Sequence, residues 1–167
     1  MTQMPAEDIH ASIAQLLADS RLEHEILPCP PELADTNIFC EHYGVPLTRS
    51  ANTIVVKSKP GERFVACVLL ADSKLAVNRV IRKRLSARKV SFASAEETRT
   101  LTGMELGGVT PIGLPQALSL WVDARVMEQP YIVLGGGDRN SKIKVDPAIF
   151  NHIPGVEIVP ELAEPRE

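Results

Sequence analysis

Asn52-Thr53-Ile54-Val55-Val56-Lys57, Ser58-Lys59-Pro60-Gly61 and Arg63-Phe64-Val65-Ala66-Cys67-Val68-Leu69-Leu70 are the consecutive pieces from which the fold is read. The outer two are rich in β-branched and apolar residues, and the Lys-Pro-Gly between them is a turn signal, so the whole reads as a β-hairpin. From Phe64 to Leu70 there is neither a charge nor any polar alternation. A strand of that kind is buried on both faces and belongs in the middle of a sheet.

Outward toward the N-terminus, residues 7–18 carry Ile9, Ile13, Leu16 and Leu17 at helical spacing and predict an amphipathic helix. Leu22–Leu27 reads as a short strand, and Cys29-Pro30-Pro31 forces an irregular stretch. Asp35 can cap a helix through Ile38, Phe39 and Tyr43 that Gly44 ends. On the other side, Leu75–Leu85 has the period of a helix, burying Leu75, Val77, Ile81 and Leu85 and turning its basic residues outward. Val90–Ala93 is a short strand, and Ser94-Ala95-Glu96-Glu97 is a capping box opening the next helix. Leu118–Val122, Tyr131–Leu134, Lys142–Val145 and Val156–Val159 supply further strands, with a short helix near Pro147–Ile153. The elements alternate without the long crossovers of a doubly wound sheet. The expected architecture is therefore α/β of the mixed α+β type: a curved, barrel-like mixed sheet flanked by short helices, as one domain over 1–167.

At 167 residues, 44% hydrophobic and net charge −3, the chain has the composition of a soluble domain; with aromatics at only 4%, its core must come from Val, Leu, Ile and Ala. No apolar run approaches the roughly 18 residues of a membrane span, and the N-terminus lacks a signal-peptide core, so no membrane partner and a cytoplasmic location are expected. Cys29, Cys40 and Cys67 are scattered without a Cys-x-x-Cys pair, which argues against a disulfide framework or structural zinc. His10, His24, His42 and His152 lack ligand spacing, so no metal and no cofactor are expected. Gly-x-Ser-x-Gly is absent. Val109-Thr110 stands where a P-loop needs its lysine and hydroxyl, and Asn140 breaks a dinucleotide pattern after Gly135.

Two side-chain-poor loops remain. Gly107-Gly108-Val109-Thr110-Pro111-Ile112-Gly113-Leu114-Pro115 is irregular by composition, and Gly135-Gly136-Gly137 follows the apolar run Tyr131–Leu134. Such loops form either a pair of tight turns or a pocket whose backbone N–H groups hold a carbonyl, carboxylate or developing oxyanion. The polar residues around them are Thr110, Asp138, Arg139, Asn140, Ser141 and Lys142, and Asp138-Arg139 is equally readable as an exposed turn pair. Arg79, Arg82, Lys83, Arg84, Arg88 and Lys89 run without an intervening acid, while Glu157, Glu161, Glu164 and Glu167 gather at the C-terminus. Alone, the basic run is a solvated face or a polyanion site; beside a backbone-lined pocket it suggests an acylated RNA end.

Ala51-Asn52-Thr53-Ile54-Val55-Val56, then Ala66-Cys67-Val68-Leu69, then Gly107-Gly108-Val109-Thr110-Pro111-Ile112-Gly113 and the final glycine turn resemble the YbaK/EbsC family over roughly residues 10–160. That family includes free-standing Cys-tRNA(Pro) and Ala-tRNA(Pro) deacylases and the editing domain of bacterial prolyl-tRNA synthetases. The resemblance implies hydrolysis of a mischarged aminoacyl-tRNA, with an aminoacyl-tRNA synthetase as a further partner. It also implies that the glycine–proline loop shapes the aminoacyl pocket and that the terminal ribose helps activate water. Carried over, Asn52, Gly107 and Gly108 stand at catalytic positions. Thr110, Pro111, Gly113, Gly135, Gly136, Gly137 and Lys142 are expected to bind substrate, and Arg79, Arg82 and Lys83 to bind tRNA. The family's deacylases carry a lysine where this chain has Asn52. Lys57 lies an odd number of strand residues away and should face the other side unless a bulge intervenes. Asn52 therefore implies a modified mechanism, another substrate or a domain that binds without hydrolysing, and Lys142 is a replacement for the lysine only if the fold brings it in.

Overall fold

The computed structural model describes residues 6–33, 36–105, 108–115, 117–137 and 141–166. Helix α1 (Ala6–Ser20) and strand β1 (His24–Pro28) precede helix α2 (Thr36–Tyr43). Gly44 ends α2 at φ +68°, and the proposed cap Asp35 lies outside the described residues. The hairpin forms β2 (Ala51–Lys59) and β3 (Arg63–Leu70), paired antiparallel without a break from Ala51↔Leu70 to Ser58↔Arg63. Next come β4 (Ser73–Leu75), a π-helical turn (Val77–Ile81) continuing into α3 (Arg82–Arg84), β5 (Lys89–Phe92) and α4 (Ala95–Thr102). The chain finishes with β6 (Ser119–Asp123), α5 (Ala124–Met127), β7 (Ile132–Gly135), β8 (Ser141–Val145), a 3₁₀ turn (Pro147–His152), β9 (Glu157–Val159) and β10 (Ala163–Pro165).

The strands form a five-stranded mixed sheet β5-β2-β3-β6-β9, a three-stranded sheet β1-β8-β7 and the pair β10-β4. β3 pairs antiparallel with β2 and parallel with β6, so the apolar run occupies the middle of the larger sheet. The fold is mixed α/β as expected, but the sheets are open: β5 and β9 are edges, and barrel closure is not seen among the described residues. One parallel bridge, Ser50↔Val133, and the bond from Val133 N–H to the Arg49 carbonyl tie β7 to the entry of β2.

Side-chain alternation sorts the interior. Ala51 and Val55 of β2 join Ile13, Leu17, Val68, Leu120, Leu134 and Ile143 in a core that links both sheets and α1. Val56 points the other way, with Val65, Cys67, Leu69 and Trp121, under Ile81 and Leu85 of the basic segment. β3 is thus buried on both faces, the environment its uninterrupted apolar sequence demands. A third cluster, Cys29, Phe39, Cys40 and Val133, lies beneath α2.

One expectation is corrected. Leu75–Leu85 is not a single helix, because Leu75 pairs with Ala163 as the end of β4 and helical structure begins at Val77. Leu75 fits a helical period, but a strand partner from the far end of the chain decides its conformation. The capping box at Ser94 forms in full: its hydroxyl accepts from Glu97 N–H, and the Glu97 carboxylate accepts from Ser94 N–H, both at 3.0 Å.

Candidate functional site

The two glycine segments, far apart in sequence, meet in space. Gly137 N–H donates to the Gly108 carbonyl at 2.7 Å. A methyl group on Gly135 would fall inside the carbonyl oxygen of Val109 and lie 2.9 Å from that of Gly108. On Gly136 it would lie 2.7 Å from the Ser141 carbonyl oxygen. Real Cβ atoms do not approach backbone oxygens this closely, so glycine here is required by close approach rather than by a turn. Groups expected to face a ligand are also engaged within each segment: Gly108 N–H donates to Glu105 O at 2.9 Å and Gly136 N–H to Ser141 O at 3.1 Å. Of these three N–H groups that of Gly137 crosses between the loops, those of Gly108 and Gly136 close turns within their own segments, and Gly107 lies outside the described residues.

Asn52 and Lys142 converge on this interlock. The parallel bridge Ser50↔Val133 joins the entry of β2 to β7, two residues before Asn52 on one strand and two before Gly135 on the other. On its other side Gly135 pairs directly with Lys142 of β8. Ala51, Leu134 and Ile143 all point into the main core. Their neighbours Asn52, Gly135 and Lys142 consequently share the opposite face, with the bare glycine between two polar side chains. Lys142 is only 8% exposed, and its ammonium sits 5.6 Å from the centroid of the Phe39 ring, within cation–π range. Ser50 and Cys40, both buried, complete the surroundings. Burial pushes the Cys40 thiol up, with the Ser50 hydrogen bond and the Lys142 charge acting the other way, so Cys40 is not a ready thiolate. Cys67 is pushed up to about 12 by burial.

Lys57 takes no part. With β2 and β3 in unbroken register it faces away from Asn52, and its ammonium is bound by both Glu97 carboxylate oxygens at 3.0 Å. The Ser94 N–H first, and Lys57 second, hold the Glu97 carboxyl below the ordinary range.

The rest of the glycine–proline loop performs a different task. Thr110 is fully buried, and its hydroxyl accepts from Ile112 N–H at 3.4 Å, so it shapes the loop from within. Pro111, Gly113, Leu114 and Pro115 line a cavity of about 280 Å³ with Ser12 and Leu16 of α1 and with His152 and Ile153. A larger hollow of about 660 Å³ lies against the far end of β8, between Arg21, His24, Tyr131 and Lys144. Among the described residues no group of three His, Cys, Asp or Glu could hold a metal ion, and no helix is long and apolar enough to cross a membrane.

The basic segment packs on the Ile54–Val56 side of β2, the side that also carries Asn52. It is not uniformly available. The turn before β10 brings Glu161, and β10 itself Glu164, to Arg79 at 3.7 and 3.4 Å; Glu157 reaches Arg84 at 3.6 Å, and the Arg84 guanidinium also lies over the Trp121 ring. Among the described residues no acid pairs with Arg82, Lys83, Arg88 or Lys89.

Residues 30–151, which hold the whole interlock, match the model of the aminoacyl-tRNA editing domain. The chain belongs to that family, of the YbaK type. Its editing domain is similar to the uncharacterized protein YwhH of Bacillus subtilis (strain 168), at 26% identity over 125 residues, covering 75% of this chain and 78% of that one. In fold it resembles the crystal structure of a candidate trans-editing enzyme for prolyl tRNA synthetase, with a TM-score of 0.75 at 16% identity over 91% of this chain and 95% of the other. It likewise resembles the hypothetical protein APE2540, with a TM-score of 0.77 at 22% identity over 92% and 99%. The family supports a role in tRNA editing.

Sequence reasoning missed Phe39, Cys40 and Ser50 as the surroundings of Lys142. The alternation Lys142-Ile143-Lys144-Val145 held the signal, since two inward apolar residues turn both lysines to the opposite face, where Phe39 of α2 meets Lys142.

Proposed function

We propose that this protein is a free-standing, single-domain trans-editing deacylase of the cytoplasm that hydrolyses the ester of a mischarged aminoacyl-tRNA. The observation that carries the reading is the interlock of Gly108 with Gly135–Gly137, flanked by Asn52 and a buried ammonium, inside an editing-domain family match. A water oxygen bonds to the ester carbonyl carbon, the bond from that carbon to the ribose oxygen breaks, and the ribose oxygen leaves with a proton. No side-chain nucleophile is needed. With three glycine N–H groups engaged inside the protein, negative charge on the carbonyl oxygen falls to Lys142, where low dielectric strengthens the interaction. The Asn52 amide can hydrogen-bond to a ribose or phosphate but brings no charge. Gly107 and Gly108 take the family's catalytic loop positions, and Pro111 and Gly113, on the stretch held by Thr110, bind the substrate. Arg82 and Lys83, with Arg79 partly neutralised beside them, meet the tRNA backbone.

The test is a deacylation screen over a panel of misacylated tRNAs with wild type, Asn52→Ala and Lys142→Met. Wild type releases the amino acid from at least one tRNA. Lys142→Met lowers kcat by about 10²-fold or more, the usual effect of removing a group that stabilises an oxyanion. No release from any member by wild type overturns the proposal. That outcome favours a non-hydrolytic module that binds aminoacyl-tRNA or a synthetase, a reading motivated by Asn52 at the family's lysine position. Asn52→Lys should then introduce hydrolysis.

A further inference from the structure

Lys142 carries its charge out of water, and burial disfavours an ammonium unless something offsets it. One offset is plain in the structure. The ammonium lies 5.6 Å from the centroid of the Phe39 ring, and Phe39 is itself only 1% exposed. Attraction between a cation and a ring face grows when both are desolvated. The ring is also held in place from several sides. Phe39 and Tyr43 stand four residues apart on α2, hence on one face of it, and their ring centroids are 4.7 Å apart. The Tyr43 hydroxyl donates to the Pro28 carbonyl at the end of β1. Pro28 pairs with Ser141, and its neighbour Leu27 pairs with Lys142. Phe39 further packs with Cys29, Cys40 and Val133, and Val133 is bridged to Ser50 at the entry of β2.

Both ends of the lysine are thus referred to one framework. The β1–β8 ladder fixes its backbone, and α2, leaning through Tyr43 on the end of the same β1, places the ring that meets its ammonium. The four-carbon stem between them is flexible and does not by itself aim the charge. An aromatic face suits this place chemically. A carboxylate beside an ammonium offsets its charge and competes for its three N–H groups. A ring attracts the charge while offering no acceptor atom, so it does not draw the N–H groups away from the face shared with Asn52 and Gly135.

Resting on the reading of Lys142 as the charge that meets the ester oxyanion, we propose that Phe39 is a positioning residue whose ring seats the Lys142 ammonium. Replacing Phe39 by mono- and trifluorinated phenylalanine keeps the shape of the side chain and withdraws electron density from its face. In the deacylation assay kcat should fall stepwise with fluorination, by about 10-fold for the trifluorinated form, while KM stays within about twofold. Phe39→Leu removes the face altogether and should lower kcat at least as far. Urea denaturation reads the same contact without activity, in wild type and in Lys142→Met. Trifluorination should lower the folding equilibrium constant about 10-fold more with lysine at 142 than with methionine, which offers the ring no charge.

A kcat that stays flat across the fluorinated series overturns the proposal even where Phe39→Leu lowers it, because that pattern belongs to packing alone. Equal effects of fluorination on stability with lysine and with methionine at 142 overturn it too. The deacylation screen separates this inference from the reading beneath it. No ester release from any tRNA by wild type removes the hydrolase, and the denaturation cycle then decides the seat by itself. Coupling between positions 39 and 142 supports the seat, and additivity overturns it.

Discussion

Gly113 and Gly135 belong to the two loops that define this domain, yet they are glycine for unrelated reasons. Gly113 has φ +84°, a region that costs other residues energy, but a methyl group there would meet only ordinary contacts with Ser12 and Ile13. Gly135 needs no unusual φ, and it is the Val109 and Gly108 carbonyls that leave no room for a side chain. One glycine supplies a bend; the other is an empty place that lets two chain segments touch. Crowding against backbone cannot be relieved by a rotamer change, whereas conformational strain at an open site is limited to its local cost.

The largest expected effect follows from the crowded site. Gly135→Ala should lower stability by about 3 kcal/mol in urea denaturation and abolish any activity of the domain, because β7 and the glycine–proline loop must separate. A loss below about 1 kcal/mol would mean the loops part easily, and the contrast with Gly113 would collapse. Gly113→Ala should cost about 1–2 kcal/mol, the left-handed penalty for a residue with a Cβ. Gly113→Asn should cost less, since asparagine tolerates that region. Thr110→Val should cost about 1 kcal/mol through the lost bond from Ile112 N–H, while leaving the Gly108–Gly137 contact intact.

The smallest effect is a control on the pH axis. Asp123 is fully buried, and burial raises its carboxyl above the ordinary range. The carboxylate makes no hydrogen bond of ordinary geometry, so the N–H groups of Ala163, Leu162 and Ala124 and the charge of Arg125 offset burial only in part. A folded value above the unfolded one gives stability that is complete below the unfolded value and fades as pH rises through the folded value. Asp123→Asn should therefore have a higher Tm than wild type at neutral pH, with the gap closing at acid pH. The cost of Gly113→Ala, which touches no titratable group, should not vary with pH.

Much of the fold was legible because its signals are local. The hairpin at 52–70, the capping box at Ser94 and the glycine stop at Gly44 each rest on residues within a few positions of one another. β4 and β10 were not legible, since three-residue strands acquire their conformation from a partner about ninety residues away. The site divides along the same line. Family motif and composition marked both glycine loops and Lys142, but not that Gly137 N–H bonds to the Gly108 carbonyl or that Gly135 lies against the Val109 carbonyl. That requires two segments to arrive at one place, which no spacing within either segment records. The opposite facing of Asn52 and Lys57 was readable from strand period alone, and the unbroken β2–β3 register bears it out.

The last strand has a consequence for the shape of the protein's electric field. By laying Glu164 against Arg79, with Glu161 from the turn before it, β10 offsets one end of the basic segment and leaves Arg82, Lys83, Arg88 and Lys89 without an acidic partner among the described residues. A uniformly positive ridge would accept a polyanion in either direction. A ridge with one end offset has a heading, and it would turn an approaching polyanion before the first close contact.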